Sequence, residues 1–411
     1  MVPLRPGLDD SPKLSNPSEA SAAQPATQVV DTSPVGKWPE AIRALRHRNF
    51  RVFIAGQAVS LLGTWMQNLG QAWLVYRLTK SELAVGFTGF CANAGVLFFG
   101  PLAGLVADRR SRYHIVLATQ AAFMFQAWLL AWLTLSGRVS ATHVFVLAGA
   151  WGVINAFDVP ARQSLYIHMV GKEDLINAIS LNAVVFNSAR LLGPAVAGFV
   201  IAAWNEGVCF AINALTFLAI LCSLWLLRLA PLPRSANSSP LESLKQGLRY
   251  LRGQLPVQAL LGVNAAVNLS RAPALALAPF FADAIFHRGS QGLGILSGIS
   301  GLGAIAGTLE LARRRSPHGL SRVVLWSALA TGICLWLAAC SPSFWLLLAA
   351  FAMLGYSQMR QNASVNTLIQ SLIPDEFRGR TMALYSMTVV GVLPLGHLVG
   401  GAVAEKIGPR W

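Results

Sequence analysis

Residues 100–112 read GPLAGLVADRRSR, the end of an apolar run followed by a turn with three arginines. The apolar run extends from 83 to 107, and about 20 apolar residues suffice for a helix to cross the hydrocarbon core of a bilayer. Lipid offers no hydrogen-bond partner to an open backbone, so a segment of this length must cross as a helix. The stretch therefore predicts a membrane span that ends at a basic loop.

The same pattern recurs along the whole chain. The sequence is 54% hydrophobic and 12% charged, whereas a soluble domain carries about 25% charged residues. This composition excludes a soluble enzyme and predicts an all-α polytopic membrane protein. Eleven spans are predicted, at 51–76, 83–107, 113–136, 141–161, 175–203, 207–227, 256–284, 291–312, 320–340, 343–371 and 379–404.

The net charge of +15 would point to a nucleic-acid partner in a soluble protein, but its distribution indicates topology instead. If the N-terminus is cytoplasmic, 21 of the 32 lysines and arginines lie on the inner side and six on the outer side, as the positive-inside rule requires. We therefore expect a multi-pass protein of the bacterial inner membrane that binds no nucleic acid. The five cysteines lie in or beside apolar runs without metal-binding spacing, so no metal or cofactor is expected.

Two polar segments flank the first six spans. Residues 1–48 are rich in Ser, Pro and Ala and predict a disordered cytoplasmic tail. Residues 229–255 form the one long polar connection, and leucines alternating with basic residues in its second part predict a short amphipathic helix on the membrane surface.

An internal repeat divides the chain into two halves. An offset of 203 residues places the opening stretch on GAIAGTLELARRR at 303–315, and it places Gly193 and Gly198 on Gly396 and Gly401. Several matches in one register predict two pseudo-symmetric six-helix halves, at 49–228 and 256–411. The second half contains five runs, so its sixth helix, the twelfth of the fold, is predicted to be absent.

Five stretches of the sequence contain recognisable motifs: GLVADRRSR (104–112), RLLGPAVAG (190–198), LLGTWMQNLGQAWLVYRLT (61–79), DVPARQSLYIHMVGKEDLINAISLN (158–182) and NTLIQSLIPDEFRGRTMALYSM (366–387). They resemble the major facilitator superfamily, and specifically its bacterial drug and siderophore exporters, the branch of macrolide efflux and enterobactin export. The family has twelve helices, one more than the runs of this sequence. This sequence also has Ser111 where the loop motif usually has Gly, Tyr113 where a base is common, and Ala197 where a second Gly is common.

The resemblance implies roles for two groups of residues. The first group is a charge network that would hold helices together in one state of the transport cycle. Two alternatives are open for it: the arginines only anchor the topology, or Asp158 and Arg162 form a simple ion pair within one helix. The second group is the helix-5 motif of antiporters, for which close helix packing is the alternative. The network comprises Asp108, Arg109, Arg112, Asp158 and Arg162, and the motif comprises Arg190, Gly193, Pro194 and Gly198.

Polar stripes on apolar helices predict a substrate cavity. Gln57, Ser60, Thr64, Gln67 and Gln71 recur at helical spacing on the first span, and the seventh and tenth spans carry similar stripes. By resemblance, helices 1, 4, 7 and 10 line the cavity, although any single amide can instead bond to a neighbouring helix. The predicted cavity residues are Gln57, Thr64, Gln67, Gln71, Trp151, Asn155, Asn264, Asn268, Arg271, Arg360, Asn362 and Asn366.

Three arginines, Arg190, Arg271 and Arg360, lie in the middle of spans. A charge there costs about 3 kcal/mol or more and indicates function. No acid accompanies them at that depth, which favours an anionic or polyphenolic substrate. Proton coupling follows from the resemblance alone, because the acids of the spans lie near their ends. His397 could take their place, but a lone histidine in a span is more often a hydrogen-bonding packing residue.

These features favour one class of function over the others. No GxxxxGK[ST] loop is present, which argues against an ATP-driven pump, and the seven histidines are scattered, which argues against a membrane enzyme. We expect a monomeric secondary transporter that exports a drug or siderophore-like compound by alternating access and proton antiport. An importer or facilitator of the same fold, or a truncated protein without transport activity, remains the alternative.

Overall fold

The computed structural model describes residues 39–171, 173–228, 249, 251–314 and 318–408. The predicted tail up to residue 38 and most of the predicted linker at 229–255 lie outside these residues. Long α-helices dominate the described part of the chain. The first half contains α1 (Arg48–Thr79), α2 (Glu82–Arg109), α3 (Arg112–Leu135), α4 (Ala141–Val170), α5 (Leu175–Ala203) and α6 (Glu206–Trp225).

The second half contains five further helices, two of which are interrupted. Helix α7 is bent by 41° next to Leu277, between Pro273 and Pro279, which lack the N–H groups needed to continue the backbone ladder. The helices are α7 (Leu255–Ala276, Ala278–Phe280 and a π turn at Phe281–Ile285), α8 (Gly289–Ala312), α9 (Leu320–Ala339), α10 (Phe344–Leu372) and α11 (Asp375–Ser386, a π turn at Met387–Gly391 and Leu393–Ile407).

Nine helical segments of the described chain are long and apolar enough to cross a membrane, counting the bent α7 as one. Helices α1 and α10 have 32 and 29 residues, but they do not meet the same criterion of hydropathy. These are two of the helices that carry the polar stripes. The number of eleven spans therefore stays a prediction, while the all-helical membrane fold is confirmed.

Side-chain caps explain why many helices begin where they do. The hydroxyl of Ser81 accepts a hydrogen bond from the backbone N–H of Ala84, Asn205 caps α6 in the same way, and Ser343 caps α10. Ser140 and His143 form a reciprocal capping box at α4. These caps satisfy N–H groups that the first turn of a helix leaves without partners.

The packing of corresponding helices is similar in the two halves. A Cβ placed on Gly152 of α4 would lie 2.7 Å from the carbonyl oxygen of Ala92 on α2. A Cβ on Gly355, the residue 203 positions later, would lie 1.8 Å from the carbonyl oxygen of Ser300 on α8. The corresponding helix pairs, α2 with α4 and α8 with α10, therefore cross closely at repeat-related glycines, as expected for pseudo-symmetric halves.

Two related crossings join the halves to each other. Gly198 of α5 packs against Gly294 of α8, and Gly401 of α11 packs against Gly86 of α2. Gly198 and Gly401 correspond in the repeat, so the two crossings are pseudo-equivalent. Small residues at these positions allow the helix backbones to approach closely. The halves touch at these crossings, and the cavity between them lies away from the crossings.

Helix α3 and its repeat counterpart α9 differ in how they are covered. Phe123 of α3 is 3% exposed and stacks on Phe217 of α6, whereas Trp326, its repeat counterpart on α9, is 65% exposed. Leu130 and its counterpart Ile333 differ in the same way, at 0% and 59%. Within the described residues, no helix covers α9 as α6 covers α3.

A cluster of charges holds the segment that precedes α1. Glu40–Arg46 forms a 3-10 helix, although it belongs to the stretch expected to be disordered. Buried Asp174, at the start of α5, accepts a hydrogen bond from Arg43 (Nε to Oδ1, 2.5 Å), pairs with His47 (Nε2 to Oδ2, 2.7 Å) and forms an ion pair with Arg46 (Nε to Oδ2, 2.9 Å). These interactions supply the order that the local sequence lacks.

The Asp174 cluster predicts a pH-dependent stability. Burial alone would raise the pKa of the Asp174 carboxyl, but hydrogen bonds from His47 and Arg43 and the charge of Arg46 outweigh it and lower the pKa. The unfolded value is about 3.9, so the carboxylate stabilises the fold above that pH, and the contribution is lost as the pH falls through the lower, folded pKa. Asp174→Asn should cost about 1–3 kcal/mol at neutral pH.

Thermal unfolding of the detergent-solubilised protein between neutral pH and about pH 3 measures this effect. The difference in melting temperature between wild type and Asp174→Asn should shrink at the acidic end. Glu173→Gln removes the neighbouring exposed acid and is the matched control, because the backbone carbonyl of Glu173 that accepts from Arg43 remains. A difference that is equally large at both ends of the pH range would contradict the assignment.

Candidate functional site

A cavity of about 1410 Å³ lies between the two halves. Helices α1, α2, α4 and α5 of the first half and α7, α8, α10 and α11 of the second contribute most of its wall. The bend in α7 lies in this wall. The aromatic residues of the wall are Trp65, Phe123, Trp151, Phe186, Phe217 and Phe351.

The charged residues of the wall are all basic. Arg162, Arg190 and Arg271 line the cavity together with His397, and none of the described lining residues is an aspartate or glutamate. Arg162 is neutralised by Asp158, 2.6 Å away between Nη2 and Oδ2. The other two arginines have no carboxylate partner among the described ion pairs.

Arg271 lies on α7, two residues before Pro273. Its side chain is buried, at 3% exposure of the residue, and its Nε has no hydrogen-bond partner among the described residues. His397 of α11 lies close enough to sense the charge of Arg271, and the described part of the chain offers no partner to either of its ring nitrogens. A Cβ on Gly89 would lie 1.9 Å from the Nδ1 of His397, so only a glycine on α2 leaves room for this imidazole.

Arg190 lies on α5 and reaches across to the second half. Its Nη2 donates to the Oε1 of Gln358 on α10 over 2.9 Å. Its guanidinium also lies 5.9 Å from the ring centroid of Trp65, within the range of a cation–π interaction. Trp65 in turn contacts Phe186 edge to face, with the ring centroids 5.5 Å apart.

Asp158 is fully buried at the edge of the cavity. Its Oδ1 accepts hydrogen bonds from Thr119 Oγ1 and Gln120 Nε2, each at 2.8 Å, while its Oδ2 pairs with Arg162. The ion pair of the sequence prediction is therefore present. The side chains of Asp108 and Arg109 lie outside the described residues, so the wider network stays a prediction. Arg112 Nη1 lies 3.2 Å from His168 Nε2 on α4.

The helix-5 motif combines packing and cavity lining. Gly193 packs against Leu62 and Trp65 of α1, and Gly198 packs against α8, as the packing alternative expects. Pro194 and Arg190 line the cavity.

Five of the twelve residues predicted to line the cavity do so: Thr64, Gln71, Trp151, Asn155 and Arg271. The other seven are absent from the described wall, and most of them bond to neighbouring helices instead. Gln67 donates to Gln126 and accepts from Asn213, inside the first half. The remaining pairs between helices are Asn264 with Thr388, Asn268 with Asn362, and Arg360 with Glu310 (Nε to Oε2, 2.7 Å). Asn366 accepts from Gln370 on its own helix, and Gln57 is buried.

The structure adds residues that the stripes did not identify. Trp65, Gln120, Phe186 and Gln163 belong to the wall, and Arg190 joins it from a helix that carries no stripe. A charge in an apolar span was a usable signal for Arg190, whereas apolar Trp65 and Phe186 gave no signal at all. The cavity is therefore more aromatic than the sequence indicates.

Hydrogen bonds and ion pairs between the halves concentrate at one end of the bundle, where α1 ends at Thr79. There, Tyr76 donates to Asp283 Oδ2 over 2.6 Å, Lys80 lies 3.6 Å from the same oxygen, and Ser81 donates to Glu405 over 3.5 Å. Ser290 donates to the carbonyl of Gly198. Among the described residues, the remaining bond between the halves is the one from Arg190 to Gln358.

Comparisons with known proteins agree with this architecture. A family model described as transmembrane secretion effector matches residues 40–411. The chain is 22% identical to the staphyloferrin A transporter of Staphylococcus aureus, over 87% of this chain and 90% of that protein. It is 24% identical to the enterobactin exporter EntS of Shigella flexneri, over 88% and 85%.

Solved structures share the fold. A bacterial homologue of the human lysosomal transporter Spinster, in an inward-facing and occupied conformation, superposes with a TM-score of 0.68 at 13% identity, over 88% of this chain and 82% of that one. An inward-facing bacterial homologue of the iron transporter ferroportin gives 0.64 at 18% identity, over 88% and 95%. The two helical halves, the cavity between them and the family match together show that this chain belongs to the transmembrane secretion effector family of major facilitator superfamily transporters.

Proposed function

We propose that the protein exports a small drug or siderophore-like molecule across the bacterial inner membrane by alternating access. The observation that carries this proposal is the large cavity between two pseudo-symmetric halves whose polar links lie at one end and at the centre. In such transporters the substrate site lies at the interface between the repeats, and the halves rock around it.

The direction of opening follows from the charge distribution. With the N-terminus in the cytoplasm, the arginine-rich loops face inward and the Tyr76–Asp283 contact closes the outer end. The described links between the halves then hold the outside shut, and the cavity faces the cytoplasm. This is the conformation in which an exporter loads its substrate.

The size of the cavity and the named relatives support a bulky substrate. A volume of 1410 Å³ exceeds the roughly 300–1,000 Å³ of ordinary ligand pockets. Two relatives are named for the siderophores that they transport.

Proton antiport is the driving mechanism that we propose, with Asp158 as the residue that carries the proton. Its carboxylate is fully buried and contacts Gln120 and Arg162, both of which line the cavity. Protonation of Asp158 would remove the partner charge of Arg162 and free that side chain toward the cavity. Proton binding would in this way change the charge of the cavity wall.

Inside-out membrane vesicles that contain the protein test export directly. We expect enterobactin, staphyloferrin A or erythromycin to accumulate in them when the lumen is acidified, and a protonophore to abolish the accumulation. Vesicles from the same strain without the protein are the control. Accumulation only in right-side-out vesicles would instead indicate an importer, and no transport in either orientation, with the protein inserted, would contradict transport of these compounds.

A further inference from the structure

The cavity wall carries positive charge without a matching acid. Among the described ion pairs, Arg162 is the one arginine of the three with a carboxylate partner, Asp158. The other carboxylates in described ion pairs, on Asp174, Glu206, Asp283 and Glu310, pair with residues other than Arg190 and Arg271. Arg190 and Arg271 are close enough for their charges to interact, so their repulsion adds to the cost of placing them within a span.

Hydrogen-bond donors in the same wall have no acceptors. The described residues leave the Nε of Arg271, the Nε1 of Trp65 and the Nε2 of Gln71 without partners, although each atom is buried. An unsatisfied buried polar group costs about 1–3 kcal/mol, and all three residues line the cavity. Oxygen atoms of a bound anion would satisfy these donors and neutralise the arginines together.

Aromatic rings belong to the same cavity wall as these donors. Trp65 lies between Arg190 and Phe186, and Phe123 packs against Trp151 with the ring centroids 4.2 Å apart. An aromatic ring in the ligand would find stacking and edge-to-face partners here. An aliphatic anion would use the arginines but not the rings.

We infer that the cavity binds an aromatic oxyanion, a molecule in which a ring carries carboxylate or phenolate oxygens, with Arg271 as its main charge partner and Arg190 as the second. The inference deepens the proposed function by defining its substrate class, and it rests on that function only for the direction of movement. An aromatic cation is disfavoured, because two arginines without carboxylate partners would repel it.

Calorimetric titration of the purified full chain in lipid nanodiscs tests this substrate class with four probes of similar size. The oxyanion is 2,3-dihydroxybenzoate, its amide is the neutral analogue, phenyltrimethylammonium is the aromatic cation, and cyclohexanecarboxylate is the anion without an aromatic ring. We expect dihydroxybenzoate to bind most tightly. Equal binding of the amide or the cation would overturn the charge assignment, and equal binding of cyclohexanecarboxylate would overturn the aromatic part.

Variants then locate the site. Arg271→Ala should weaken dihydroxybenzoate binding by about 10- to 100-fold, as expected for the loss of a charged hydrogen-bonding partner. The affinity of Arg271→Lys should lie between those of Arg271→Ala and the wild type, because lysine keeps the charge but lacks the planar guanidinium. Arg322→Ala, at an exposed arginine near the start of α9, is the control and should bind like wild type. Wild-type affinity in both Arg271→Ala and Arg190→Ala would overturn the site.

The probe comparison uses the wild-type protein alone, so it decides the question even if a variant does not fold. The outcomes also separate the two proposals. Binding of dihydroxybenzoate without transport in vesicles would remove the proposed function and leave the binding site intact. Transport of erythromycin without binding of dihydroxybenzoate would remove the oxyanion site and leave export intact.

Discussion

Replacing Gly355 with alanine should remove most of the folded protein from the membrane. The new Cβ would lie 1.8 Å from the carbonyl oxygen of Ser300. It would be attached to the backbone of α10, and the oxygen belongs to the backbone of α8, so neither atom can turn away as a flexible side chain could. The helices would have to separate, so we expect a loss of roughly 3 kcal/mol or more, the upper range for overpacking. Fluorescence-detected size-exclusion chromatography and thermal melting of the purified protein measure this effect.

A neighbouring helix provides the matched control. Gly332 lies inside α9 and has no atom within 4 Å of a built Cβ, so Gly332→Ala should gain up to about 1 kcal/mol from helix propensity. Gly152→Ala, at the repeat-related crossing in the first half, meets its carbonyl at 2.7 Å and should be destabilising by a smaller amount. Equal melting temperatures for Gly355→Ala and Gly332→Ala would contradict the close crossing of α8 and α10.

Asp158→Asn should produce the second large effect. Removing the negative charge leaves Arg162, whose side chain is 18% exposed, without its partner, and breaking a buried ion pair on one side costs about 3–5 kcal/mol. The amide also cannot accept from all three donors that now converge on the carboxylate. Thermal or denaturant unfolding in detergent checks the size of the loss.

A double variant separates the cost of an unpaired charge from other effects of the substitution. Asp158→Asn combined with Arg162→Gln removes both charges and should recover much of the stability. Glu310→Gln breaks the pair with Arg360 in the second half, where the glutamate is 35% exposed, and should cost less. A double variant no more stable than Asp158→Asn would contradict the ion-pair explanation.

The double variant also tests the proposed coupling. If Asp158 carries the proton, the stable double variant should bind substrate but lose the protonophore-sensitive accumulation in inside-out vesicles. Accumulation that still depends on the proton gradient would assign the coupling to another group.

The helices themselves were largely predictable. The apolar run at 175–203 coincides with α5 as observed, Leu175–Ala203, and most other runs differ from their helices by a few residues, whereas α4 continues nine residues past the predicted span 141–161, to Val170. The bend of α7 and the π turns were not predicted, because the run at 256–284 continues through Pro273 and Pro279 without a polar break. The charge cluster around Asp174 was not predicted either, since its partners lie about 130 residues away in sequence.

The cavity was only partly predictable, as Gln67 and Gln71 illustrate. Both belong to one stripe on α1, yet Gln71 lines the cavity while Gln67 bonds to Gln126 and Asn213. The spacing shows that the two amides are near each other on the helix surface, but not which helix lies opposite each of them. Arg190 and Arg360 make the same point, since the first lines the cavity and the second pairs with Glu310.

The sequence by itself determined that this protein is an all-helical membrane protein with two repeated halves. Those properties are local or periodic, because the thickness of the hydrocarbon core sets the length of each apolar run and a constant offset is visible without coordinates. Only the tertiary structure decided which polar side chains meet the cavity and which are satisfied by another helix. In a medium without water, a buried polar group is satisfied by whichever partner lies within hydrogen-bond reach, and that partner is set by how the helices cross. The two cavity arginines without a carboxylate partner among the described residues, Arg190 and Arg271, become visible only then.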